Sequence, residues 1–289
     1  MDNKANINWF PGHMAKTVRQ IKSSLPSVDA VAEILDARIP NSSRNPDLDS
    51  ILGDKPRLIV LNKADLADSN ASRRWIKYYQ ELGLKAITVD CRRGRGLEAV
   101  EGALNEILKE KIEKNIEKGM VGRAKRLMVV GIPNTGKSSF INKMVGKNKA
   151  KAADKPGVTR KNQWFDARDG IQLLDTPGVL WPKFEDPEVG EKLAFIGSIK
   201  DDVVDIEFLA MSLLKVLRDH YPEKLSQRYS LKDFEKEEAY GLLELVAKRR
   251  GMLLQGGRFD TERAAIMLLD EFRGGLLGRI SLEHPSDFE

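Results

Sequence analysis

The stretch that most constrains the fold is Gly131-Ile-Pro-Asn-Thr-Gly-Lys-Ser138, the sequence of a phosphate-binding loop (P-loop). It follows an apolar run at residues 127–130 and precedes a helix-like segment at residues 139–144, which is the strand–loop–helix setting that the motif requires. The glycines let the backbone curl, so that successive amides and the helix N-terminus point at one anion. Lys137 would reach the β- and γ-phosphates of a nucleoside triphosphate, and the Ser138 hydroxyl would ligate Mg²⁺. The residues that this motif assigns to nucleotide binding are Gly131, Pro133, Asn134, Thr135, Gly136, Lys137, Ser138 and Ser139.

Composition indicates a globular protein that stays in the cytosol. The 289 residues suffice for one large or two ordinary domains with a buried core. No apolar run approaches the ~20 residues of a membrane span, and the N-terminus lacks the apolar segment of a signal peptide. The single cysteine, Cys91, excludes an intramolecular disulfide framework, and no Cys/His cluster could hold zinc. We therefore expect a cytoplasmic protein without a membrane partner.

The net charge of +5 is unevenly distributed. Residues 109–168 contain sixteen Lys or Arg and five Asp or Glu, whereas residues 206–289 contain thirteen and fifteen. The basic half favours an anionic partner beyond the nucleotide, and RNA is the usual cytosolic candidate. An ordinary solvated surface explains the charge equally well.

The order of apolar and polar segments predicts two domains. Strand patterns alternate with helix patterns in the first part of the chain, which implies a mostly parallel sheet with helices on both faces. The predicted strands are 28–36, 56–61, 86–90 and 127–130, and the predicted helices are 15–25, 72–82 and 97–118. Two further strand-like runs flank Asp169-Gly170, a hairpin turn signal. After about residue 186 the pattern is helical, with helices expected at 206–219, 231–249 and 261–273. We therefore assign residues 1–182 to an α/β domain and residues 183–289 to a small all-helical domain.

Asn62-Lys63-Ala64-Asp65 matches Asn-Lys-x-Asp, the base-reading motif of the GTPase superfamily. The Asp65 carboxylate can accept both N1–H and the exocyclic N2–H of guanine, a bidentate pairing that adenine does not offer. Asn62 would hold the loop and meet the other edge of the purine, while the Lys63 stem would lie along the base. Alone this tetrapeptide could be a surface turn. At the end of a predicted strand, in a chain that also carries a P-loop, it favours a guanine site.

Asp175-Thr-Pro-Gly178 supplies the third motif, Asp-x-x-Gly, at the end of another strand-like run. The Asp175 carboxylate would hold Mg²⁺ through water, and the Gly178 amide would contact the γ-phosphate. Thr159 lies between the P-loop and this motif, in Gly157-Val-Thr-Arg160. Its hydroxyl is the best candidate to complete the Mg²⁺ shell from a mobile loop, although other Thr and Ser residues could do so.

The three motifs stand in an unusual order. An ordinary GTPase runs from the P-loop through Asp-x-x-Gly to Asn-Lys-x-Asp, but here Asn-Lys-x-Asp comes about seventy residues before the P-loop. This order predicts a circularly permuted P-loop GTPase domain, joined through residues 117–125, since the usual termini of such a fold lie close together. The new end falls next to Asp-x-x-Gly, so this γ-phosphate sensor would lead directly into the C-terminal helices.

With these motifs, the chain resembles the ribosome biogenesis GTPase A (YlqF/RbgA) family of circularly permuted GTPases over nearly its whole length. The resemblance also includes Trp9-Phe-Pro-Gly-His-Met14, Asp36-Ala-Arg-Ile-Pro40, Arg249-Arg-Gly251 and Arg273-Gly-Gly-Leu-Leu-Gly278. It implies a protein that binds the late precursor of the large ribosomal subunit through rRNA and ribosomal proteins, and whose hydrolysis of GTP to GDP the particle stimulates. We expect the free protein to be monomeric. The resemblance also implies a helical RNA-binding domain at the C-terminus. Residues 206–289 are slightly acidic, so RNA binding there would need a local face of Lys248, Arg249, Arg250 and Arg258.

The residue that activates water is not evident. Ras-like enzymes place a Gln after Asp-x-x-Gly to orient the attacking water, whereas this chain has Val179. Three replacements remain open: His13, which the family resemblance suggests but which could equally be a turn residue; K⁺ held at Asn134; and a group donated by rRNA. The candidate catalytic residues are thus Lys137, Thr159 and His13. Cys91 and Arg92 occupy the place of the family's second base-contacting loop, where the backbone would contact guanine O6.

Two other functions remain compatible with the sequence. The chain could be an RNA-binding scaffold that uses GTP mainly as a structural ligand. It could also be a permuted GTPase that acts on another RNA particle.

Overall fold

The computed structural model describes residues 11–146, 163–181, 184 and 186–288, with side chains from residue 15 onward. These residues form two compact units. The sheet unit comprises residues 11–146, 163–181 and 283–288, and the helical unit comprises residue 184 and residues 186–282.

A six-stranded sheet with the order β3-β2-β1-β4-β6-β5 organises the described part of the sheet unit. Its strands are β1 (Ala30–Asp36), β2 (Arg57–Asn62), β3 (Lys85–Thr88), β4 (Lys125–Val130), β5 (Gln163–Asp166) and β6 (Ile171–Asp175). Only β5 runs antiparallel to its neighbour in this sheet, and the other pairs are parallel. The carboxyl ends of β1, β2, β4 and β6 therefore share one edge, the edge at which open α/β sheets bind ligands.

Helices cover both faces of this sheet, as the strand and helix pattern predicts. They are α1 (Pro11–Ser24), α2 (Asp47–Leu52), α3 (Ser69–Glu81), α4 (Ala99–Ile107), α5 (Lys109–Glu117) and α6 (Lys137–Val145). Alternate residues of β1 serve opposite faces. Ile34 belongs to a core cluster with Leu104 of α4 and Phe140 of α6. Val31 packs in a second cluster with Ile21 of α1. Every residue of β1 is buried, which is typical of a central strand in a parallel sheet.

The single helix predicted at residues 97–118 is two helices. α4 ends at Ile107, Leu108 leaves the helical conformation with φ −106° and ψ 9°, and α5 begins at Lys109. Leu108 is buried in the core of the sheet unit, whereas no residue of α5 is buried. The chain therefore leaves the helical conformation at a buried core residue, which the continuous charged pattern does not indicate.

The helical unit contains α7 (Pro187–Phe195), α8 (Ile206–His220), α9 (Pro222–Tyr229), α10 (Ala239–Arg249) and α11 (Thr261–Gly274). The predicted helix at 231–249 starts eight residues late, because Ser230 and Asp233 adopt positive φ values of 54° and 52° and break the helical path. Helix α9 was not predicted. Its first residue is Pro222, and proline is favoured at the first position of a helix. In the part of the chain that the structure describes, no helix is long and apolar enough to cross a membrane.

The C-terminal residues depart from the predicted domain boundary. Residues 283–288 belong to the sheet unit, not to the helical domain predicted for 183–289. Trp75 of α3 donates its indole N–H to the carbonyl oxygen of Glu283 at 3.1 Å, and its ring centroid lies 5.7 Å from that of Phe288. The short tail is anchored by these side chains, a long-range pairing that periodicity does not reveal.

Candidate nucleotide-binding site

The P-loop connects β4 to α6 in a tightly curled conformation. Gly131, Asn134 and Gly136 have φ values of 142°, 62° and 94°, which glycine adopts at little cost and other residues rarely adopt. A Cβ on Gly131 would lie 2.5 Å from the carbonyl oxygen of Ile34. The loop therefore needs glycine here both for its backbone conformation and for its close approach to β1. Its backbone leads into the N-terminus of α6, the end that favours an anion.

The Lys137 side chain is buried at the start of α6. Its ammonium group donates to the carbonyl oxygen of Ile132 at 2.7 Å. Burial lowers the pKa of Lys137 to about 8, and the negative charge of Asp175 opposes that shift. A phosphate group beside this ammonium would favour the charged form further, so the site is suited to an anionic ligand.

The Asn-Lys-x-Asp motif and the P-loop are joined by direct hydrogen bonds. The Asn62 side-chain amide donates to the carbonyl oxygen of Thr135 at 2.8 Å, and its oxygen accepts from the Cys91 backbone N–H at 3.3 Å. The Lys63 ammonium donates to the carbonyl oxygen of Asn134 at 2.6 Å. Segments about seventy residues apart in sequence thus form one site at the edge of the sheet.

Two buried charged residues, Asp36 and Arg38, support Lys63. The sequence alone gave neither of them a chemical role. The Asp36 carboxylate lies 3.0 Å from the Lys63 ammonium. Arg38 donates to both Asp36 oxygens, at 2.9 and 2.8 Å. Burial alone would raise the pKa of Asp36, but the charges of Arg38 and Lys63 hold it well below its usual value. The only signal in the sequence was the quoted stretch Asp36-Ala-Arg-Ile-Pro40, which carried a family resemblance without a chemical role.

Asp65, Cys91 and Arg92 are the other residues that the sequence assigns to the base, and they differ in burial. Asp65 is half-buried, Cys91 is buried and Arg92 is exposed. Burial, together with the negative charges of Asp90 and Asp65, raises the pKa of the Cys91 thiol to about 12, against the opposing charge of Lys143. The thiol therefore stays protonated at neutral pH, and the backbone N–H of Cys91 is bound by the Asn62 side chain.

The Asp-x-x-Gly segment (residues 175–178) lies against the P-loop. Thr176 donates its hydroxyl to the carbonyl oxygen of Val129 at 2.7 Å, and the Val179 N–H donates to the carbonyl oxygen of Gly131 at 3.2 Å. A Cβ on Gly178 would lie 3.0 Å from the Lys137 ammonium and 3.0 Å from the backbone nitrogen of Pro133. Gly178 is thus within reach of the groups expected to hold phosphates.

Val179 occupies the position of the water-orienting Gln, and its side chain is buried in the core cluster that contains Ile21 and Val31. An apolar side chain in this core contributes packing and cannot polarise water. The residue therefore takes no part in activating a nucleophile.

Comparison with known proteins identifies the family of this chain. A family model described as 50S ribosome-binding GTPase matches residues 126–243, a range that holds the P-loop and Asp-x-x-Gly and leaves out residues 62–65. Ribosome biogenesis GTPase A of Bacillus cereus is 46% identical over 98% of this chain and 95% of that protein. The same-named protein of Thermotoga maritima is 31% identical over 97% of this chain and 95% of its own length. The chain belongs to the ribosome biogenesis GTPase A family.

Solved structures of relatives show the same fold. A GDP-bound structure of TM YlqF has a TM-score of 0.66 and 29% identity, and covers 93% of this chain and 100% of that one. A GNP-bound structure of YlqF from T. maritima has a TM-score of 0.64 and 28% identity, and covers 93% and 98%. As a member of this family, the chain is a guanine-nucleotide-binding GTPase, with the permuted motif order that its sequence predicts.

The metal and catalytic predictions for this GTPase rest on fewer described groups. A hard cation suits the half-buried Ser138 hydroxyl and the buried Asp175 carboxylate, since Mg²⁺ takes one or two protein oxygens together with phosphates and water. No cluster of three or more His, Cys, Asp or Glu side chains suited to a metal occurs among the described residues. Thr159 lies outside the described residues, and so does the side chain of His13, which belongs to α1. Ser139 is half-buried in the first turn of α6.

Proposed function

We propose that this GTPase acts in late maturation of the large ribosomal subunit, and that the subunit precursor stimulates its hydrolysis of GTP to GDP and phosphate. The name of its relatives, ribosome biogenesis GTPase A, and the 50S ribosome-binding GTPase family model support the ribosomal assignment. The relatives of known structure that hold GDP and GNP support the nucleotide.

The observation that carries the nucleotide assignment is the pair of hydrogen bonds from Asn62 and Lys63 to the P-loop carbonyls of Thr135 and Asn134. They bring the base-reading motif to the loop that would hold the phosphates. The half-buried Asp65 carboxylate then accepts from the guanine N1–H and N2–H, which gives selectivity over adenine. Cys91 and Arg92 contribute backbone groups near guanine O6.

Ser138 and Asp175 are the described residues that would hold Mg²⁺, Asp175 through water, and Thr159 would complete the shell. Bound there, Mg²⁺ would neutralise charge on the phosphate oxygens. Lys137 holds the β- and γ-phosphates, and Gly178 meets the γ-phosphate through its amide. Each of these chain groups fixes the position of the phosphates rather than activating water.

Because Val179 is buried and apolar, free protein hydrolyses GTP slowly, and a further group completes the site. The three candidates are His13, K⁺ bound at Asn134 and a group from rRNA. A positive charge added beside the γ-phosphate is worth roughly 10³–10⁵ in rate when an arginine supplies it. If the ribosomal particle supplies or positions that group, the rate of GTP hydrolysis depends on the particle.

The helical unit binds rRNA through the basic end of α10. Lys248 and Arg249 are exposed there, and Arg258 is exposed in the following turn. Arg250 is different, because its guanidinium lies 3.2 Å from the Glu271 carboxylate and 5.2 Å from the centroid of the Tyr229 ring. Arg250 therefore stabilises the helical unit, and Lys248, Arg249 and Arg258 remain for phosphate contacts. The free protein is a cytoplasmic monomer that contacts ribosomal proteins as well as rRNA.

Hydrolysis of GTP measured with and without purified large subunits, in K⁺ and in Na⁺ buffers, tests this function. We expect many-fold stimulation by large subunits and none by small subunits. Stimulation that is greater in K⁺ assigns the completing group to the cation, whereas stimulation independent of the cation favours His13 or rRNA. Flat, negligible turnover would indicate a scaffold with GTP as a structural ligand. Stimulation by small subunits alone would move the protein to another particle.

A further inference from the structure

The loop between β1 and α2 (residues 37–46) is unusually buried for a polar loop. Ser42, Ser43 and Asn45 are each at most 2% exposed. The Ser43 hydroxyl accepts from the Asp36 N–H at 3.1 Å and donates to the carbonyl oxygen of Ile39 at 2.7 Å. Buried polar groups are nearly always hydrogen-bonded, and these internal hydrogen bonds stabilise the conformation of the loop.

One end of the loop holds the Asp-x-x-Gly segment. The Asn45 side-chain amide donates to the carbonyl oxygen of Val179 at 3.2 Å, and its oxygen accepts from the Asp47 N–H at 2.9 Å. The N–H of the same Val179 donates to Gly131 of the P-loop. Both backbone groups of the residue after Gly178 are thus bound, one by the P-loop and one by Asn45.

The other end of the loop is held by the C-terminal tail. The Glu283 carboxylate is fully buried and accepts from the Asn41 N–H at 2.8 Å, from the Ser42 N–H at 3.1 and 3.2 Å, and from the Ser42 hydroxyl. Hydrogen bonds to an ionised acceptor are roughly twice as strong as neutral ones. Removing the charge would therefore loosen the loop at this end.

The position of Glu283 in the chain makes this contact informative. The helical unit comprises residues 184–282, so the chain enters that unit shortly after the Asp-x-x-Gly segment and leaves it immediately before Glu283. The two segments that connect covalently to the helical unit are thus joined to each other through the β1–α2 loop.

We propose that Asn45 is a positioning residue for GTP binding and hydrolysis, which sets the Asp-x-x-Gly segment against the P-loop, and that Glu283 holds the loop that carries it. The proposal rests on the assignment of Gly178 to the γ-phosphate. GDP lacks this phosphate, so the network acts on GTP and leaves GDP largely unaffected. A ligand-dependent effect of this kind requires a differential interaction with the two nucleotides.

The test measures affinities of the full-length protein for GDP and for a non-hydrolysable GTP analogue, together with kcat. Asn45→Asp removes the donor to Val179 and keeps the acceptor for Asp47, and Glu283→Gln removes the charge with little change of shape. We expect each variant to weaken binding of the analogue and to lower kcat about fivefold to tenfold, with GDP affinity within twofold of the parent. Equal losses for both nucleotides, or no loss, would overturn the proposal.

Two further variants separate this outcome from others. Glu271→Gln alters a buried carboxylate of the helical unit that accepts from Arg228, Tyr229 and Arg250. It controls for general destabilisation, so the ratio of GDP to analogue affinity must stay at the parent value.

Gly178→Ala tests the underlying assignment of Gly178 to the γ-phosphate. If this variant leaves the ratio of GDP to analogue affinity unchanged, that assignment is wrong. If it changes the ratio and the Asn45 and Glu283 variants do not, only the present inference fails. Should Asn45→Asp not fold, Asn45→Ser replaces it.

Discussion

The side-chain amide of Asn62 lies 2.8 Å from the carbonyl oxygen of Thr135, so a residue of the base-reading motif fixes the P-loop directly. Asn62 is only 2% exposed, and its side-chain oxygen also holds the Cys91 backbone. It therefore connects three segments that are distant in the chain. Asn62 thus assembles the site, and its effect on binding should not depend on how many phosphates the nucleotide carries.

Replacement of Asn62 by Ala should consequently weaken GDP and a GTP analogue by the same factor. Two buried hydrogen bonds are lost, which costs about 1–3 kcal/mol of binding free energy, or about five- to 150-fold in affinity. Titration of both nucleotides by calorimetry measures this. Asn70→Ala, at an exposed position of α3, should leave both affinities unchanged. A loss confined to one nucleotide would contradict the assembling role.

The Asn62 side chain leaves no room for a side chain at position 136. A Cβ there would lie 2.2 Å from the Asn62 amide nitrogen. Gly136→Ala should therefore abolish measurable nucleotide binding. Gly146→Ala, at the other end of α6, is a matched control, because its φ of 72° is also positive but no atom of the described residues lies within 4 Å of the added Cβ. This control should lose about 1 kcal/mol of stability and retain binding, as checked by thermal unfolding and nucleotide titration.

Asp65→Asn exchanges the acceptor that reads guanine for a group that also donates. We expect affinity for GTP to fall by roughly two orders of magnitude, since a site built for specific hydrogen bonds rejects a mismatched partner strongly. Affinity for xanthosine triphosphate should rise, because its base offers an oxygen where guanine has the N2 amine. Competition of the two nucleotides for the variant measures the change. An unaltered preference for GTP would remove Asp65 from the base-reading role.

Particular residues show how far the sequence leads. The P-loop, Asn62–Asp65 and Asp175–Gly178 were recognisable because each motif has a fixed local spacing, and their order predicted a circularly permuted domain. The pairs Asn45–Val179 and Asn41–Glu283 were not predictable, since they join residues 134 and 242 positions apart and involve no spacing pattern. The break at Leu108 was also missed, because no glycine or proline marks it in the sequence.

The rRNA face can be tested by its salt dependence. Replacing Lys248 and Arg249 with Ala should weaken binding of large-subunit rRNA and reduce the slope of log affinity against log salt by about one per lost phosphate contact. Lys232→Ala, at another exposed position of the helical unit, should leave the slope unchanged. Arg250→Ala should instead lower the unfolding temperature, because Arg250 pairs with Glu271. Equal slopes for the double variant and the parent protein would place the rRNA face elsewhere.

Glu33 makes the stability of the sheet unit depend on pH. This carboxyl is fully buried in β1, 3.5 Å from Arg57 and 3.8 Å from Arg44. Burial raises its pKa to about 7 from an ordinary value of 4.5, against the opposing charges of Arg44 and Arg57. Between these two values the folded protein keeps a proton that the unfolded chain has lost.

The free energy of unfolding should therefore fall as the pH rises from about 4.5 to about 7, through the contribution of Glu33, and that contribution should stay constant above pH 7. Glu33→Gln keeps the shape without the ionisation, so it should flatten this part of the profile. At pH 8 it should raise the stability by roughly 1–3 kcal/mol relative to the parent protein. Urea unfolding at a series of pH values measures both effects. Glu81→Gln, with an exposed carboxyl in α3, should reproduce the parent profile, and an identical profile for Glu33→Gln would show that Glu33 is ionised in the folded protein throughout this range.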